Sequence, residues 1–384
     1  MPRGCALSHG AVLANCHAAM ERYDFRPGDV TVAWLPLHHD MGLMVSVLAP
    51  VYGMLASRMM SAKRFLMRPL SWLDQLVGID RVHTCTPNFA LGMALRRADK
   101  YSPGPSAFAG VRNIVCGAEP IDPNLVRKFL TKFSEFGLAP SAFQASYGMA
   151  ETTVFASSAA GGLVTSKDAK FQASGPQQAI AREHVSVGVP SSDTEIRIFD
   201  DEDKELGEGQ AGEIRIRSPS LMSGYYNNPS ATQLKLRDGW LRSGDSGFVL
   251  GGELFVIGRR DDMMIIGGAN IFPNDVEFAI AEATGLERRR VGVFSVEGTY
   301  STGGLVVVAE CQVSTNAGAI KKQIAEACVS ECGTIPLNIL LCKSGQLPKT
   351  TSGKLRRREL KRLYLSDGLE AAGAVVASES LQSL

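Results

Sequence analysis

The 384 residues are 45% hydrophobic and carry a formal net charge of +1, with 40 Lys and Arg against 39 Asp and Glu. A chain of this size can build two or three packed units with substantial cores. Its neutral balance excludes the basic excess that selects nucleic acid or an anionic membrane surface, so any polyanion site must be local.

In chain order, residues 1–10 lack the basic start and apolar run of a secretory signal. HGAVLANCHAAMERY reads as a helix and VTVAWLPL (30–37) as a strand. The apolar stretch 41–56 is broken by Gly42, Pro50 and Gly53; it is too short for a membrane span and reads as a helix beside a core or an acyl pocket. VHTCTP (82–87) and VRNIVCGAEP (111–120) read as strands and NLVRKFLTKFSEFG as a helix, which together make α/β layering. From about Val185 the texture changes to short strands and Gly-rich turns, with Asp200 to Glu205 as a hairpin tip. After residues 258–262 a smaller α+β unit follows, with NDVEFAIAEAT and AGAIKKQIAEACVSEC as helices and GLVVVAECQV as a strand. The expected division is 1–185 (α/β), 186–260 (β-rich), 262–365 (small α+β domain) and 366–384 (loosely ordered tail). The eight cysteines show no CxxC spacing, which favours reduced cytosolic thiols and a cytoplasmic protein over zinc, redox or disulfide chemistry.

Three local patterns carry chemistry. In Ser146-Tyr147-Gly148-Met149-Ala150-Glu151-Thr152 an aromatic can stack a base, a glycine lets backbone approach a phosphate, and a carboxylate can hold Mg²⁺. The same stretch alone also fits a loop with a capping acid. In Arg242-Ser243-Gly244-Asp245 an ionised Asp at a turn can accept both hydroxyls of a ribose, although an Asp in a hairpin turn is the more ordinary case. In Pro348-Lys349-Thr350-Thr351-Ser352-Gly353-Lys354 a glycine loop presents a lysine to phosphate or carboxylate charge. The GxxxxGK[ST] spacing of a P-loop is absent. The basic run that follows is either a solvated helix face or a dock for an acidic carrier protein.

The order of these motifs, together with LPLHHDMGL, CGAEP, SVGVP, GEIRIRS with SGYY, and GRRDDMMIIGGANIFPNDVE, resembles the acyl-activating superfamily of acyl-CoA synthetases, peptide-synthetase adenylation domains and luciferases. Within it, HDMGL (39 onward), TPNFALGMALRR, Ala150 in YGMAE and the long gap between Glu151 and Gly188 most resemble the fatty acyl-AMP ligases. The resemblance implies an α/β, acyl-adenylate synthetase-like large domain with a β-rich subdomain, followed by a mobile α+β carboxyl-terminal domain. It implies ATP and Mg²⁺ as cofactors, a fatty acid as substrate and an acyl carrier protein as acceptor. Gly117, Ala118 and Glu119 would run along the adenine, with Tyr147 on its face and Gly148, Met149 and Ala150 completing the nucleotide loop. Glu151 would coordinate Mg²⁺ and Thr152 would touch phosphate. Asp245, supported by Arg259, would hold the ribose; Lys354 would act on the carboxylate and α-phosphate; Asp261 would be the domain hinge. His39 would gate or line the acyl pocket, or be a hydrogen-bonded core histidine, and Asp40 would cap the helix after it.

Two departures qualify the resemblance. The family's phosphate loop ends in PKG, and only Pro2-Arg3-Gly4 stands at that place, so the front of the large domain is expected to be missing and apolar surface to be exposed. Gly267-Gly268-Ala269-Asn270-Ile271 lacks the arginines and histidine common there. The alternatives are a fatty acyl-CoA synthetase or an inactive, truncated adenylate-binding remnant.

Overall fold

Ser8 starts the first helix by accepting the Ala11 N–H at 3.0 Å, and His9–Tyr23 then buries Ala11, Asn15, Cys16, Ala18 and Ala19 on one side. The computed structural model describes residues 3–166, 183–266, 269–296, 304–311, 317–350, 353–366, 369 and 375–377. Residues 167–182, within the long gap before Gly188 expected as an insertion, Gly267 and Gly268, Thr351 and Ser352, and most of the tail lie outside the described residues. The described chain falls into two compact units, divided between Ile257 and Gly258.

The first unit is built on a seven-stranded sheet in the order Val189–Pro190, Ser157–Ser158, Phe143–Tyr147, Val111–Cys116, Val82–Thr86, Val30–Ala33, Ala56–Met59. The five strands from Phe143–Tyr147 to Ala56–Met59 run parallel, and the first two are antiparallel additions. Central strands covered on both faces read as continuous apolar runs, which is why 82–86 and 111–116 are legible without alternation. Phe129, Phe133, Phe108, Trp72 and Leu91 are fully buried in the layers that cover the sheet. The strand Ala56–Met59 was not expected: its four residues are all exposed and show no apolar pattern. Val51, Met54, Met59 and Met67, on and beside it in the chain, are 60–78% exposed.

The stretch 41–56 is helical from Asp40 to Gly53, but in three segments: α over Asp40–Leu43, π over Met44–Leu48 and α over Ala49–Gly53. A Cβ at Gly42 would lie 2.3 Å from the Pro36 carbonyl oxygen, so the glycine lets the helix start press against the preceding loop.

The β-rich part of this unit is an antiparallel sheet. Glu195–Phe199 pairs with Gly212–Arg217, which pairs with Trp240–Leu250, and Leu236–Arg237 and Glu253–Arg259 also pair with Trp240–Leu250. The loop after Phe199 turns at the acidic tip, where Asp200 Oδ1 accepts the Glu202 and Lys204 amides at 2.9 Å each.

The second unit has a four-stranded sheet, Val291–Val296, Gly304–Glu310, Asn338–Cys342 and Val375–Ala377. The period of two in its strands makes two cores. Val291, Val293, Leu305 and Val307 pack with Val276, Ile280, Ile324 and Cys328 of the helices Pro273–Thr284 and Ala317–Cys332, and Phe294, Val306 and Val308 pack with Leu347 and Leu360. All eight cysteines are free thiols. Among the described residues no helix is long and apolar enough to cross a membrane.

Candidate functional site

Four loops, 35–40, 87–89, 117–120 and 148–152, leave the carboxyl ends of neighbouring parallel strands. That edge gathers free amides and polar side chains, and it is where open α/β sheets hold ligands.

At 117–120 the chain is forced close to its neighbour. A Cβ on Gly117 would lie 2.6 Å from the Ser146 carbonyl oxygen, and Ala118 follows at φ 67 in the left-handed region. Glu119 Oε1 accepts the Phe89 N–H at 2.6 Å and thereby joins this loop to the first turn of the helix Asn88–Leu95. The Asp122 amide donates to Asn88 Oδ1 at 3.3 Å, a second tie between the same two segments.

Tyr147 ends the strand Phe143–Tyr147, and its phenol donates to Asp245 Oδ2 at 2.8 Å. This bond joins two motifs separated by 98 residues. Asp245 is 8% exposed, and its own N–H donates to Ser243 Oγ at 3.0 Å, while that hydroxyl donates to the Ile214 carbonyl at 2.6 Å. Gly148 is a steric necessity, because a Cβ there would sit 1.7 Å from the Val154 carbonyl oxygen. Met149, Ala150, Glu151 and Thr152 then form one tight turn. Thr152 is buried, and its hydroxyl is committed to the turn's own backbone: it accepts the Met149 N–H at 3.2 Å and donates to Met149 O at 2.9 Å.

Two residues that sequence reasoning assigned no role complete this turn. Asn15, fully buried on the first helix, donates to the carbonyls of Thr152 (3.2 Å) and Phe155 (2.8 Å) and accepts the Phe155 amide at 3.2 Å. No local signal marks it, since its partners lie more than 130 residues away. Tyr225 lies in the SGYY motif; its phenol donates to Glu151 Oε1 at 2.5 Å, and the Arg3 guanidinium lies 5.3 Å from its ring centroid. Burial and the Glu151 carboxylate push Tyr225 up to about 12, so it remains a donor at neutral pH. Cys5, its strand partner, is pushed up to about 11 by burial and by the Glu151 and Asp40 carboxylates, and is no nucleophile.

His39 precedes the helix Asp40–Leu43 in the cap position. Its Nδ1 lies 2.8 Å from Asp40 Oδ1, and that carboxylate accepts the Met41 N–H at 2.7 Å. The cap is therefore His39, whose Nδ1 accepts the Met41 N–H at 3.3 Å, and Asp40, expected as the cap, is instead the first residue of the helix.

In the second unit Arg259 ends the strand Glu253–Arg259, and Asp261 lies in the exposed turn Arg260–Asp262, paired with Arg358 at 2.6 Å. Arg357, beside it, is held by Glu277, by the Val293 carbonyl at 2.9 Å and by Asp262 at 3.6 Å. Lys354 is exposed on a hairpin whose base is closed by Thr350 N–H to Lys354 O (2.8 Å) and Arg356 N–H to Pro348 O (2.8 Å). The other lysine of that motif, Lys349, is tied to the buried Glu310 at 2.9 Å. The structure therefore brings together 117–119, Tyr147–Thr152 and Asp245 in one unit, and carries Arg259, Asp261 and Lys354 on the other.

Among the described residues no group of three or more His, Cys, Asp or Glu is placed to hold a metal. Glu151 is a single carboxylate, the donor set suited to Mg²⁺ that arrives on substrate phosphates and keeps most of its other ligands from them and from water.

Residues 1–226 match the AMP-binding enzyme family. A 4-hydroxyphenylalkanoate adenylyltransferase of Mycobacterium marinum is 32% identical, the alignment covering 96% of this chain and 64% of the relative. The long-chain-fatty-acid–AMP ligase FadD26 of Mycobacterium tuberculosis is 31% identical over 98% of this chain and 69% of the relative. The chain thus spans 64–69% of the length of these curated relatives. A solved structure from a study of fatty acyl-adenylate ligases from E. coli and L. pneumophila superimposes with a TM-score of 0.84 at 29% identity, covering 97% of this chain and 69% of that one.

Proposed function

The chain belongs to the AMP-binding enzyme family, among its fatty acyl-AMP ligases, and from that premise we propose that it activates a fatty acid with Mg-ATP to an acyl-adenylate for delivery to the thiol of an acyl carrier protein. The observation that supports this reading is the Tyr147–Asp245 bond, which sets beside each other, at the carboxyl edge of the sheet, the ring proposed to stack the base and the carboxylate proposed to hold the ribose.

In the proposed reaction a carboxylate oxygen of the fatty acid attacks the α-phosphorus of ATP. The new P–O bond forms as the bond to pyrophosphate breaks. Tyr147 and 117–119 hold the adenine, Asp245 accepts the ribose hydroxyls with Arg259 supporting the sugar, and 148–150 present backbone to the phosphate. Mg²⁺, when bound with ATP, neutralises phosphate charge; Glu151, held by Tyr225, is the side chain that would meet it. Lys354 offsets the charge developing between carboxylate and α-phosphate. Asp261 serves as the hinge, His39 stands by the acyl entrance, and the free thiols support a cytoplasmic setting.

Calorimetric titration with a non-hydrolysable acyl-adenylate analogue tests the site. Micromolar binding lost in Asp245→Ala supports it, and no binding by the unaltered chain overturns it. Product analysis with ATP, fatty acid and CoA tests the reaction: acyl-AMP that persists supports the ligase, whereas rapid acyl-CoA formation identifies a CoA synthetase.

A further inference from the structure

We propose that Lys235 is a positioning residue of the nucleotide site, acting on Asp245 through the backbone of the loop before it. The helix Pro229–Lys235 is started by Asn228, whose Oδ1 accepts the Ala231 N–H at 3.1 Å, and it ends on this lysine. The chain then enters a tight hairpin: Leu236 pairs with Leu241 and Arg237 with Trp240, around Asp238 and Gly239 at φ 51 and 78. That register sets Lys235 against Arg242. Its ammonium donates to the carbonyls of Arg242 and Ser243, each at 2.9 Å.

Two consecutive carbonyls turned toward one cation fix two successive peptide planes. The next residue, Gly244, sits at φ 76, and a Cβ on it would lie 2.8 Å from Lys235 Nζ. The torsion favours glycine there, and the absence of a side chain leaves the ammonium its place. Asp245 follows, with its amide on Ser243 Oγ and its carboxylate under Tyr147. The lysine thus sets where the ribose-binding oxygen sits without touching a ligand itself. An apolar side chain of the same length leaves the two carbonyls without this donor, and the loop is free to relax by fractions of an ångström, a displacement that polar recognition does not tolerate.

This inference rests on Asp245 being the ribose-binding residue, and the test separates the two. Dissociation constants are measured for an acyl-sulfamoyl adenosine and for its 2′,3′-dideoxy counterpart, on the unaltered chain, Lys235→Met, Lys235→Arg and Asp245→Ala. The expected result is about tenfold weaker binding of the ribose analogue by Lys235→Met, partial recovery in Lys235→Arg, and no change for the dideoxy analogue. Equal weakening of both analogues marks a merely structural lysine and overturns the proposal, as does unchanged binding of both while Asp245→Ala loses the ribose analogue. If Asp245→Ala leaves both affinities unchanged, the ribose reading itself falls and Lys235 with it. Should Lys235→Met fail to fold, Lys235→Gln, which removes the charge but keeps an N–H donor group, is put to the same comparison.

Discussion

Asp245 and Lys354 are set in their units in opposite ways. Asp245 lies within an eleven-residue strand, 8% exposed, with its carboxylate, its amide and the two peptide planes before it each held by a named partner. Lys354 stands exposed on a hairpin that is fixed at its root, where buried Glu310 takes the amides of Gly345 (3.0 Å) and Leu347 (2.8 Å) and the ammonium of Lys349. The first arrangement suits a group that recognises a fixed ligand, because a preorganised acceptor loses little entropy on binding. The second suits a charge delivered at one stage of a reaction from a firm base.

Removing each group tests that contrast. Lys354→Ala is expected to slow acyl-adenylate formation by about two orders of magnitude or more while changing adenylate affinity less than about threefold. Pyrophosphate release set beside calorimetry checks this, and a parallel loss of binding would erase the distinction between holding and acting. Gly148→Ala should weaken adenylate binding at least about tenfold and destabilise the first unit by about 1–3 kcal/mol, because the new methyl meets the Val154 carbonyl at 1.7 Å. Binding and thermal melting report the two parts separately.

Glu310→Gln probes the hairpin's root. It keeps an acceptor for the two amides but removes the charge that holds Lys349, so a loss of about 1–2 kcal/mol is expected in the second unit, with a severalfold slower first step and unchanged adenylate affinity. An unchanged rate would show that the root does not govern Lys354.

The smallest effect concerns pH. His83 is 1% exposed between Asp29 (2.9 Å) and Asn113 (2.8 Å). Burial depresses it below its ordinary value near 6.5 and outweighs the Asp29 hydrogen bond that opposes the shift. Below that value the unfolded chain binds a proton that the folded chain refuses, so stability falls as pH drops through 6.5. Asp29 resists ionisation through burial, but bonds from Arg81 and His83 prevail and hold it below the carboxylate range; its contribution is lost at still lower pH. Urea titrations at pH 7.5 and 5.5 should show the first unit softening, and His83→Gln should flatten the difference.

The elements that sequence reasoning located are those whose packing repeats locally. His9–Tyr23 and Ala317–Cys332 were legible as amphipathic helical segments, and 82–86 and 111–116 as apolar runs. Ala56–Met59 was missed because an exposed edge strand has no burial pattern to read, and the π turn Met44–Leu48 because backbone register leaves no mark on composition. In the site, the residues proposed to meet ligand sit in recognisable motifs. Their supports, Asn15, Lys235 and Glu310, are ordinary residue types whose duties arise only from contacts made across the fold.

The hairpin that places Lys235 also gives the strand that carries Asp245 an optical handle. Of the three indoles, Trp34 and Trp72 are 3% and 0% exposed, and their emission is set by the core. Trp240 begins the strand that carries Asp245 and lies half-buried beside the Arg197 and Arg217 guanidinium groups, 5.3 and 4.9 Å from its ring. Quenching by a neutral solute reaches this indole ahead of the other two, so the quenchable part of the protein's intrinsic fluorescence follows, without any label, the strand on which ribose recognition is proposed to depend.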